Sequence, residues 1–358
     1  MAANAQPVKY HYTGMFQSLK NHNTPSSPFS SNQTMTNKTE PDLAGIEQAA
    51  RTIRPYLEPT PLVRSELLSQ ALQADIWLKN ETVTPIASFK LRGALNSAVD
   101  AHARGISGLV TSSTGNHGQG VAYAARRLGM KADIFLPHPA NPVKARMIEA
   151  FGGIVHEIGD DLDISKYAAI EHARAHGLTF IDDGNDVQVM EGAGSIGYEI
   201  ARQLQDIDLV LVPLGGGNLA GGCAVSVKSL QPTARVITVQ AKGSPAVTRS
   251  FHQKQVVECE IDTLADGLVT RVPPALALGM LWKHVDDAWL ASDDELLAAT
   301  HAFMQSAHVL VEPAGAAALA GACLHKEAIQ HKRVVLILTG ANISSELFKE
   351  VLQTEPIL

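Results

Sequence analysis

The sequence predicts an α/β fold with two open, mainly parallel twisted sheets and helices on both faces. Three observations support this prediction. From Pro41 onward, short runs rich in Val, Ile and Leu alternate with Ala-rich helical patterns, as is typical of parallel sheets covered on both faces. Small and polar residues follow three of the predicted strands, where parallel sheets bind ligands. The 358 residues are also too many for one small core and predict more than one lobe.

The predicted elements follow one another in a regular order. The first strand and helix pairs are "GLVTSS" with "HGQGVAYAARRLG", and "ADIFLP" with "PVKARMIEAFGG". Next come "DLVLVPL" with "LAGGCAVSVKSL", and then the strand "ARVITVQ". The helical patterns "DELLAATHAFMQSA" and "GAAALAGACLHK" precede the last strand, "RVVLILTG". Short β-branched runs bounded by turn residues favour strands, and longer Ala-rich runs favour helices.

Composition excludes several classes of protein. Hydrophobic residues make up 45% and charged residues 18% of the chain, which indicates a globular protein. The net charge of −7 argues against a nucleic-acid partner. The three cysteines, Cys223, Cys259 and Cys323, lie far apart and predict neither disulfides nor a zinc site. No apolar run is long enough to span a membrane and no secretory signal is evident, so we expect a cytoplasmic protein without a membrane partner.

The first 39 residues differ from the rest of the chain. Residues 1–39 contain no Asp or Glu and are rich in Asn, Ser and Thr. They include "NTPSSPFSSNQTMTNKT", which has no periodic apolar face. This composition predicts a disordered tail. A transit peptide is the alternative, although the segment contains no arginine.

The first candidate ligand turn is "PLGGGNLAGG", residues 213–222, between a predicted strand and helix. Backbone N–H groups of Gly215, Gly216 and Gly217 and the helix dipole would converge there on an anion such as phosphate. Three glycines can also form a plain tight turn. The spacing of Gly215, Gly217 and Ala220 additionally matches a dinucleotide fingerprint. The next strand, however, ends at Gln240 where a ribose-binding acid would be needed.

The second candidate turn is "TSSTGNHGQG", residues 111–120, again between a strand and a helix. Hydroxyl and amide groups at a helix N-terminus suit a carboxylate, which can accept from Ser113, Thr114, Asn116 and the backbone. His117 alone carries little weight, because a histidine at a helix start is often a cap or a packing residue.

The third turn, "LTGANIS", places Thr339 after a strand, where its hydroxyl could cap a helix or meet a heteroatom of a bound ring.

A separate segment, "ASFKLRGALNSA", places Lys90 directly after Phe89. A phosphate site, a carboxylate site and an isolated lysine are what a phosphorylated aldehyde and an amino acid would require. Pyridoxal 5'-phosphate is the simplest cofactor that meets this description.

Six segments together carry a family resemblance: "SFKLRGA", "SSTGNHGQG", "PLGGGNLAGG", "ADGL", "VEPAGAAALAG" and "LTGAN". In this order and spacing, over about residues 45–345, the chain resembles the fold-type II pyridoxal-phosphate enzymes, whose fold is like that of the tryptophan synthase β subunit. It is most similar to the threonine/serine dehydratase and serine racemase group, with a phenylserine dehydratase-like subgroup as an alternative.

The resemblance implies a role for each matching residue. Lys90 would hold the cofactor as a Schiff base and act as the catalytic base at Cα, while Thr114 stands at the position of the racemases' second base. Cofactor contacts are implied for Phe89, Asn116 (3-hydroxyl), Gly215, Gly216, Gly217, Asn218 and Leu219 (phosphate), Glu312, and Thr339 (pyridine nitrogen). Substrate contacts are implied for Ser113, Thr114, Gly115, His117 and Gln119.

The resemblance also implies a domain organisation and a reaction. A large cofactor-binding domain would comprise residues 40–107 and 186–358, and a small domain, residues 108–185, would close over the substrate. The protein would be a homodimer and an ammonia-lyase that converts a 3-hydroxy amino acid, by default threonine or serine, to a 2-oxo acid and ammonia.

Departures from the family pattern keep several alternatives open. Thr114 replaces the serine base of the racemases, which weakens racemisation without excluding it. Asn218 stands where a fourth glycine is common, and Gln240, Ser244 and Ala246 replace the acidic ligands of a divalent cation, so no metal is expected. We expect Thr270 and Arg271 beside the substrate channel, where they could favour phenylserine or hydroxyaspartate. A β-replacement synthase, a nicotinamide-dependent dehydrogenase and a non-catalytic cofactor-binding protein are the other readings.

Overall fold

The structure is a computed structural model that describes residues 38–358. Apart from Lys38 and Thr39, the predicted tail lies outside the described residues. The described part forms one compact unit. None of its helices is long and apolar enough to cross a membrane.

Strands and helices alternate along most of the described chain. The strands are β1 (Leu62–Arg64), β2 (Asp75–Asn80), β3 (Gly108–Ser112), β4 (Lys131–Leu136), β5 (Ile154–Glu157), β6 (Thr179–Phe180), β7 (Leu209–Pro213), β8 (Arg235–Ala241), β9 (Asp287–Ala291) and β10 (Arg333–Leu338). The first seven helices are α1 (Leu43–Ile53), α2 (Glu66–Leu72), α3 (Lys90–Ala103), α4 (Asn116–Arg127), α5 (Pro142–Ala150), α6 (Leu162–His176) and α7 (Val187–Gln203). The others are α8 (Asn218–Leu230), α9 (Ala246–Gln253), α10 (Ala275–His284), α11 (Asp293–Ala307), α12 (Pro313–Leu324), α13 (Lys326–Ile329) and α14 (Ser345–Gln353), with a 3₁₀ turn at Asp266–Leu268.

The strands form two sheets. The larger has the order β1-β2-β10-β7-β8-β9, in which only the β1–β2 pairing is antiparallel. The smaller has the order β5-β4-β3-β6 and is parallel throughout. Parallel neighbours need crossover connections, and helices supply them. The predicted fold class, two mainly parallel sheets with helices on both sides, is confirmed.

The larger sheet is buried on both faces, as the apolar runs predict. Along β10, Val334, Leu336 and Leu338 pack into a cluster with α11 and α12, whereas Val335 and Ile337 pack into a cluster with α7 and α8. Side chains alternate between the two faces of a strand, so a strand buried on both faces is apolar at successive positions.

All strands of the smaller sheet lie between residues 108 and 180, and all strands of the larger sheet lie outside that range. Helices α3 and α4 share a further apolar cluster with β3 and β4 through Leu95, Val121 and Ile134. The predicted division into a small domain, residues 108–185, and a large domain formed by 40–107 and 186–358 stays a prediction.

A buried charge cluster joins α3 to the larger sheet and to α7. Arg92, only 1% exposed, donates to both carboxylate oxygens of Glu81 at 2.8 and 2.9 Å and to those of Glu199 at 2.7 and 2.9 Å. Lys79 donates to Glu199 Oε2 at 2.5 Å and to the Thr60 carbonyl at 2.7 Å. Burial alone would raise the pKa of Glu199, but the charges of Arg92 and Lys79 outweigh it and lower that pKa.

We predict that Arg92→Met lowers the free energy of unfolding by about 3–5 kcal/mol, because it leaves the carboxylate of Glu81 buried without its partner. Arg104→Met, at the residue that directly follows the same helix, is the matched control. Arg104 pairs with Asp100 at the surface, so its loss should cost less than about 1 kcal/mol. Urea unfolding of both variants measures the difference. Equal losses would show that the buried cluster does not hold α3 in place.

Candidate active site

A pocket opens at the carboxyl ends of β7 and β10, where open parallel sheets bind ligands. Eight residues predicted from the sequence to bind the cofactor are among its lining residues. The pocket is lined by Phe89, Lys90, Asp183, Pro213, Gly215, Gly216, Gly217, Asn218, Leu219, Gly267, Leu268 and Thr339.

Lys90 is the first residue of α3, and the preceding backbone is anchored to the end of β10. The Phe89 N–H donates to the Thr339 carbonyl at 2.9 Å, and Ser88 pairs with Gly340. Lys90 Nζ lies 5.1 Å from the centroid of the Phe89 ring and donates to Asp183 Oδ1 at 2.6 Å. The amine therefore extends into the pocket, where a carboxylate faces it.

The glycine turn forms a cradle at the N-terminus of α8. Gly217 has φ +104°, which disfavours residues with a Cβ atom, and it precedes the first residue of the helix. A Cβ on Gly215 would lie 2.6 Å from the Gly267 carbonyl oxygen, so that position also requires glycine. The positive φ falls on Gly217, and Asn218 is helical. The departure at Asn218 therefore does not strain the turn.

Two further polar residues of the pocket are buried, and one of them has an unused acceptor. Asn218 is 4% exposed and donates through Nδ2 to the Asp183 carbonyl, while its Oδ1 has no hydrogen-bond partner among residues 38–358. Thr339 is 5% exposed and directly follows β10. A primary amine, a glycine cradle at a helix N-terminus and the unpartnered amide oxygen of Asn218 fit pyridoxal phosphate.

Asn116 and Glu312 do not line this pocket but meet next to it. Asn116 Nδ2 donates to Glu312 Oε1 at 2.9 Å, and its Oδ1 accepts from Asn342 at 2.7 Å. The Glu312 N–H donates to the carbonyl of Gly340, the residue after Thr339. Burial raises the pKa of Glu312 to about 7. Glu312 precedes α12 without a side-chain cap hydrogen bond, so N-capping does not explain this glutamate.

The predicted carboxylate turn lies between β3 and α4. Ser113, Thr114 and Gly115 form a partly exposed loop, and none of them lines the pocket. Gln119 is 4% exposed in the second turn of α4, and its Oε1 has no hydrogen-bond partner within the described chain. The structure thus places these residues in one turn, and their contact with a substrate stays a prediction.

His117 links this turn to the pocket. Its imidazole is 2% exposed, its Nδ1 lies 3.4 Å from Asp183 Oδ1, and its Nε2 lies 3.4 Å from the Ile181 carbonyl. Burial lowers the pKa of His117. The neutral form is therefore favoured, and His117 is a packed neighbour of Asp183.

Asp183 is a charged residue of the pocket that was not predicted from the sequence. It follows β6, a short strand of the smaller sheet, and its side chain is 41% exposed. Burial opposes ionisation of the Asp183 carboxylate, but the charges of Lys90 and His117 outweigh burial and lower its pKa. An acid placed just after a strand was the available signal. Gly267 and Leu268 were within the motif "ADGL" but had no predicted role, and Asn342 was likewise within "LTGAN".

The residues considered for a metal or for side-chain specificity lie elsewhere. Gln240 is fully buried and accepts from the Thr248 N–H at 2.9 Å, and Ser244 bonds to Thr270. Arg271 faces Asp163 at 3.5 Å. Thr270 and Arg271 are not lining residues of the pocket. Within residues 38–358, no group of three or more His, Cys, Asp or Glu side chains is arranged to hold a metal ion.

Known proteins resemble this chain over most of its length. The chain is 33% identical over 312 residues to an L-threonine ammonia-lyase of Thermotoga maritima, covering 87% of this chain and 78% of the relative. It superposes on threonine deaminase isoform 2 from Solanum lycopersicum with a TM-score of 0.81 at 32% identity, covering 88% of this chain and 95% of that one. Maize serine racemase superposes with a TM-score of 0.82 at 27% identity, and the match covers 87% of this chain and 97% of the racemase chain.

The family model described as "Pyridoxal-phosphate dependent enzyme" matches residues 53–340. This range contains Lys90, the glycine cradle and Thr339, and it is most of the chain. The predicted cofactor and the predicted fold-type II architecture are therefore confirmed, and the chain belongs to the family of pyridoxal-phosphate dependent enzymes.

Proposed function

We propose that the protein is an ammonia-lyase that removes the β-hydroxyl and the α-amino group of a 3-hydroxy amino acid, with threonine or serine as the default substrate. The products are a 2-oxo acid and ammonia. One observation carries the proposal: a single pocket is lined by the amine of Lys90, the Gly215–Gly217 cradle and Thr339. The names of the threonine ammonia-lyase and threonine deaminase relatives support the reaction type.

Each proposed cofactor-binding residue would contact a different part of the cofactor. The N–H groups at the start of α8 would bind the phosphate, because the helix dipole and the glycine backbone favour an anion there. Phe89 would flank the ring, and the Thr339 hydroxyl would meet the ring nitrogen. The adjacent Asn116 and Glu312 would lie towards the ring hydroxyl. Asn218 and Leu219 complete the phosphate end.

When bound, pyridoxal phosphate supplies an aldehyde that joins an amine covalently and a conjugated ring that withdraws electrons from Cα. Lys90 would hold this aldehyde. Its Nζ would also accept the proton from Cα of the substrate, as a base, while the β-hydroxyl leaves. A threonine hydroxyl at the ring nitrogen, unlike a carboxylate, leaves the ring uncharged. This favours elimination over transamination.

The substrate carboxylate would bind at the N-terminus of α4. Ser113, Thr114, Gly115, His117 and Gln119 belong to that turn, and a helix N-terminus stabilises an anion. Thr114 would be the residue on the second face of Cα, so racemisation is the secondary activity to test. Residues 108–185 would close over the bound substrate and exclude water.

The homodimer and the cytoplasmic location are parts of the same proposal. The homodimer rests on the family resemblance, and the location rests on the cysteine usage and the apolar pattern of the sequence. Neither is needed for the chemistry assigned to the pocket.

We predict that Lys90→Ala abolishes the visible absorption band of the covalently bound cofactor and lowers turnover by at least about 10³-fold, because the variant lacks both the attachment point and the base. Lys242→Ala, at an exposed position after β8, is the matched control and should keep the band. Borohydride treatment should remove the band of the parent protein. A Lys90→Ala protein that keeps a borohydride-sensitive band would assign the attachment to another amine.

The substrate is tested by measuring oxo-acid formation from serine, threonine, phenylserine and 3-hydroxyaspartate with the same enzyme preparation. We expect 2-oxo acid from threonine or serine. Product from a bulkier compound alone would overturn the default substrate but keep the reaction type. A fully loaded enzyme that forms no oxo acid from any of the four would contradict the proposed function and favour a non-catalytic or racemising protein.

We predict a pH dependence of stability from Glu312, whose pKa burial raises from 4.5 to about 7. Between these two values the folded state of the cofactor-free protein binds more protons than the unfolded state, so the free energy of unfolding falls as the pH rises. The Glu312→Gln variant does not show this fall in the free energy of unfolding, because glutamine does not ionise. In urea unfolding, the variant should therefore gain stability relative to the parent between about pH 5 and about pH 8. Parallel pH curves would refute the assignment.

A further inference from the structure

Asp183 lies beside the amine that the proposed reaction uses. Its Oδ1 is 2.6 Å from Lys90 Nζ, and both residues line the same pocket. A substrate whose amine replaced Lys90 on the cofactor would have its nitrogen near this position, with Cα one bond and Cβ two bonds away. The side chain of such a substrate would then lie close to the Asp183 carboxylate. The chemistry assigned to Lys90 does not use this carboxylate.

The backbone holds Asp183 in place independently of its side chain. The Asp183 carbonyl accepts from Asn218 Nδ2, and the neighbouring Ile181 pairs with β3 through its N–H. The preceding acid, Asp182, has a different role. It accepts from the N–H groups of Gly184 and Asn185 and pairs with Lys166 at 2.8 Å. Of the two adjacent acids, only Asp183 lines the pocket.

When Lys90 is bonded to the cofactor, the other charged residues near the pocket do not neutralise the Asp183 carboxylate. Among the residues that the structure describes, Lys90 and Asp183 are the charged side chains in the lining. Lys144 is paired with Asp266, the residue before Gly267 of the lining. His117 is buried, which favours its neutral form. Arg271, the candidate partner for an acidic substrate, faces Asp163 outside the lining. With Lys90 bonded to the cofactor, or released as the neutral base that the proposed reaction requires, the lining formed by residues 38–358 keeps one carboxylate and no cation.

We propose that Asp183 selects substrates that carry a positive charge on the side chain, so that the preferred substrates are 3-hydroxy amino acids with an amino group beyond the hydroxyl-bearing carbon. A cation next to this carboxylate is attracted, whereas the second carboxylate of an acidic substrate is repelled. The inference rests on the proposed elimination and names its substrate class. It disfavours 3-hydroxyaspartate, which the sequence left as an alternative.

The shortest such substrate is 2,4-diamino-3-hydroxybutanoate. Loss of its Cα proton and cleavage of its Cβ–O bond release one water. The α-amino group later leaves as ammonia when one water is taken up, and the product is 4-amino-2-oxobutanoate. The reaction needs no oxidant or reductant beyond the proposed function.

Binding is measured first, with three four-carbon amino acids that lack the leaving hydroxyl: 2,4-diaminobutyrate, 2-aminobutyrate and aspartate. Their dissociation constants come from the change in the visible band of the cofactor-loaded enzyme. We expect 2,4-diaminobutyrate to bind at least about tenfold more tightly than 2-aminobutyrate, and aspartate to bind most weakly. In Asp183→Asn and Asp183→Ser the preference for 2,4-diaminobutyrate over 2-aminobutyrate should shrink to within about threefold.

Asp182→Asn is the matched control. An asparagine can still accept from the two N–H groups, and the residue is not in the lining, so the variant should keep the preference of the parent. Turnover is then compared for 2,4-diamino-3-hydroxybutanoate, threonine and 3-hydroxyaspartate. The ratio of kcat/KM for the first two substrates should fall at least about tenfold in both Asp183 variants.

Three results separate the possibilities. No preference for 2,4-diaminobutyrate in the parent, or a preference that survives in both Asp183 variants, overturns the inference. An equal loss of kcat on all three substrates with unchanged binding preference also overturns it, because Asp183 then serves the common chemistry. A binding preference that Asp183 controls, without oxo-acid formation from any substrate, upholds the charge selection and overturns the proposed elimination.

Discussion

The buried pairing of Arg92 with Glu81 and Glu199 is the interaction on which the site depends. Arg92 lies two residues after Lys90 on α3, and its partners lie after β2 and on α7. These contacts fix the position and rotation of the helix whose first residue presents the reactive amine. A buried charge without its partner is costly, so the cluster disfavours any other placement of α3. The position of Lys90 therefore depends on a charge cluster that is not part of the pocket lining.

Parallel strands supply the second constraint, because their carboxyl ends lie along the same edge of a sheet. In the larger sheet β7 and β10 are neighbours, and they bring the glycine cradle and Thr339 into one pocket. The start of α3 joins them through the Phe89 to Thr339 hydrogen bond. Amine, anion cradle and hydroxyl thus come from three distant parts of the chain. Rigid elements hold all three, which suits a site that must orient a covalently bound group.

The smaller sheet contributes the polar surroundings of the amine. It positions the turn before α4 after β3, and Asp183 after β6. The carboxylate of Asp183 contacts Lys90, from α3, and its backbone carbonyl accepts from Asn218, at the start of α8. The proposed charge selection and the proposed chemistry would therefore both act next to the one nitrogen of Lys90.

By itself the sequence determined the alternation of strands and helices, the glycine turn, the isolated Lys90 and the family. Each of these can be recognised in short sequence segments, because hydrophobic periodicity and turn signals involve residues that are close together in the sequence. The contacts of Lys90 with Asp183, 93 residues away, and of Asn116 with Asn342, 226 residues away, were not predictable in this way. Only the tertiary structure decided that Asp183 rather than Arg271 lines the pocket. Which side chains meet across a cleft depends on how the sheets and helices pack, and no local pattern encodes that packing.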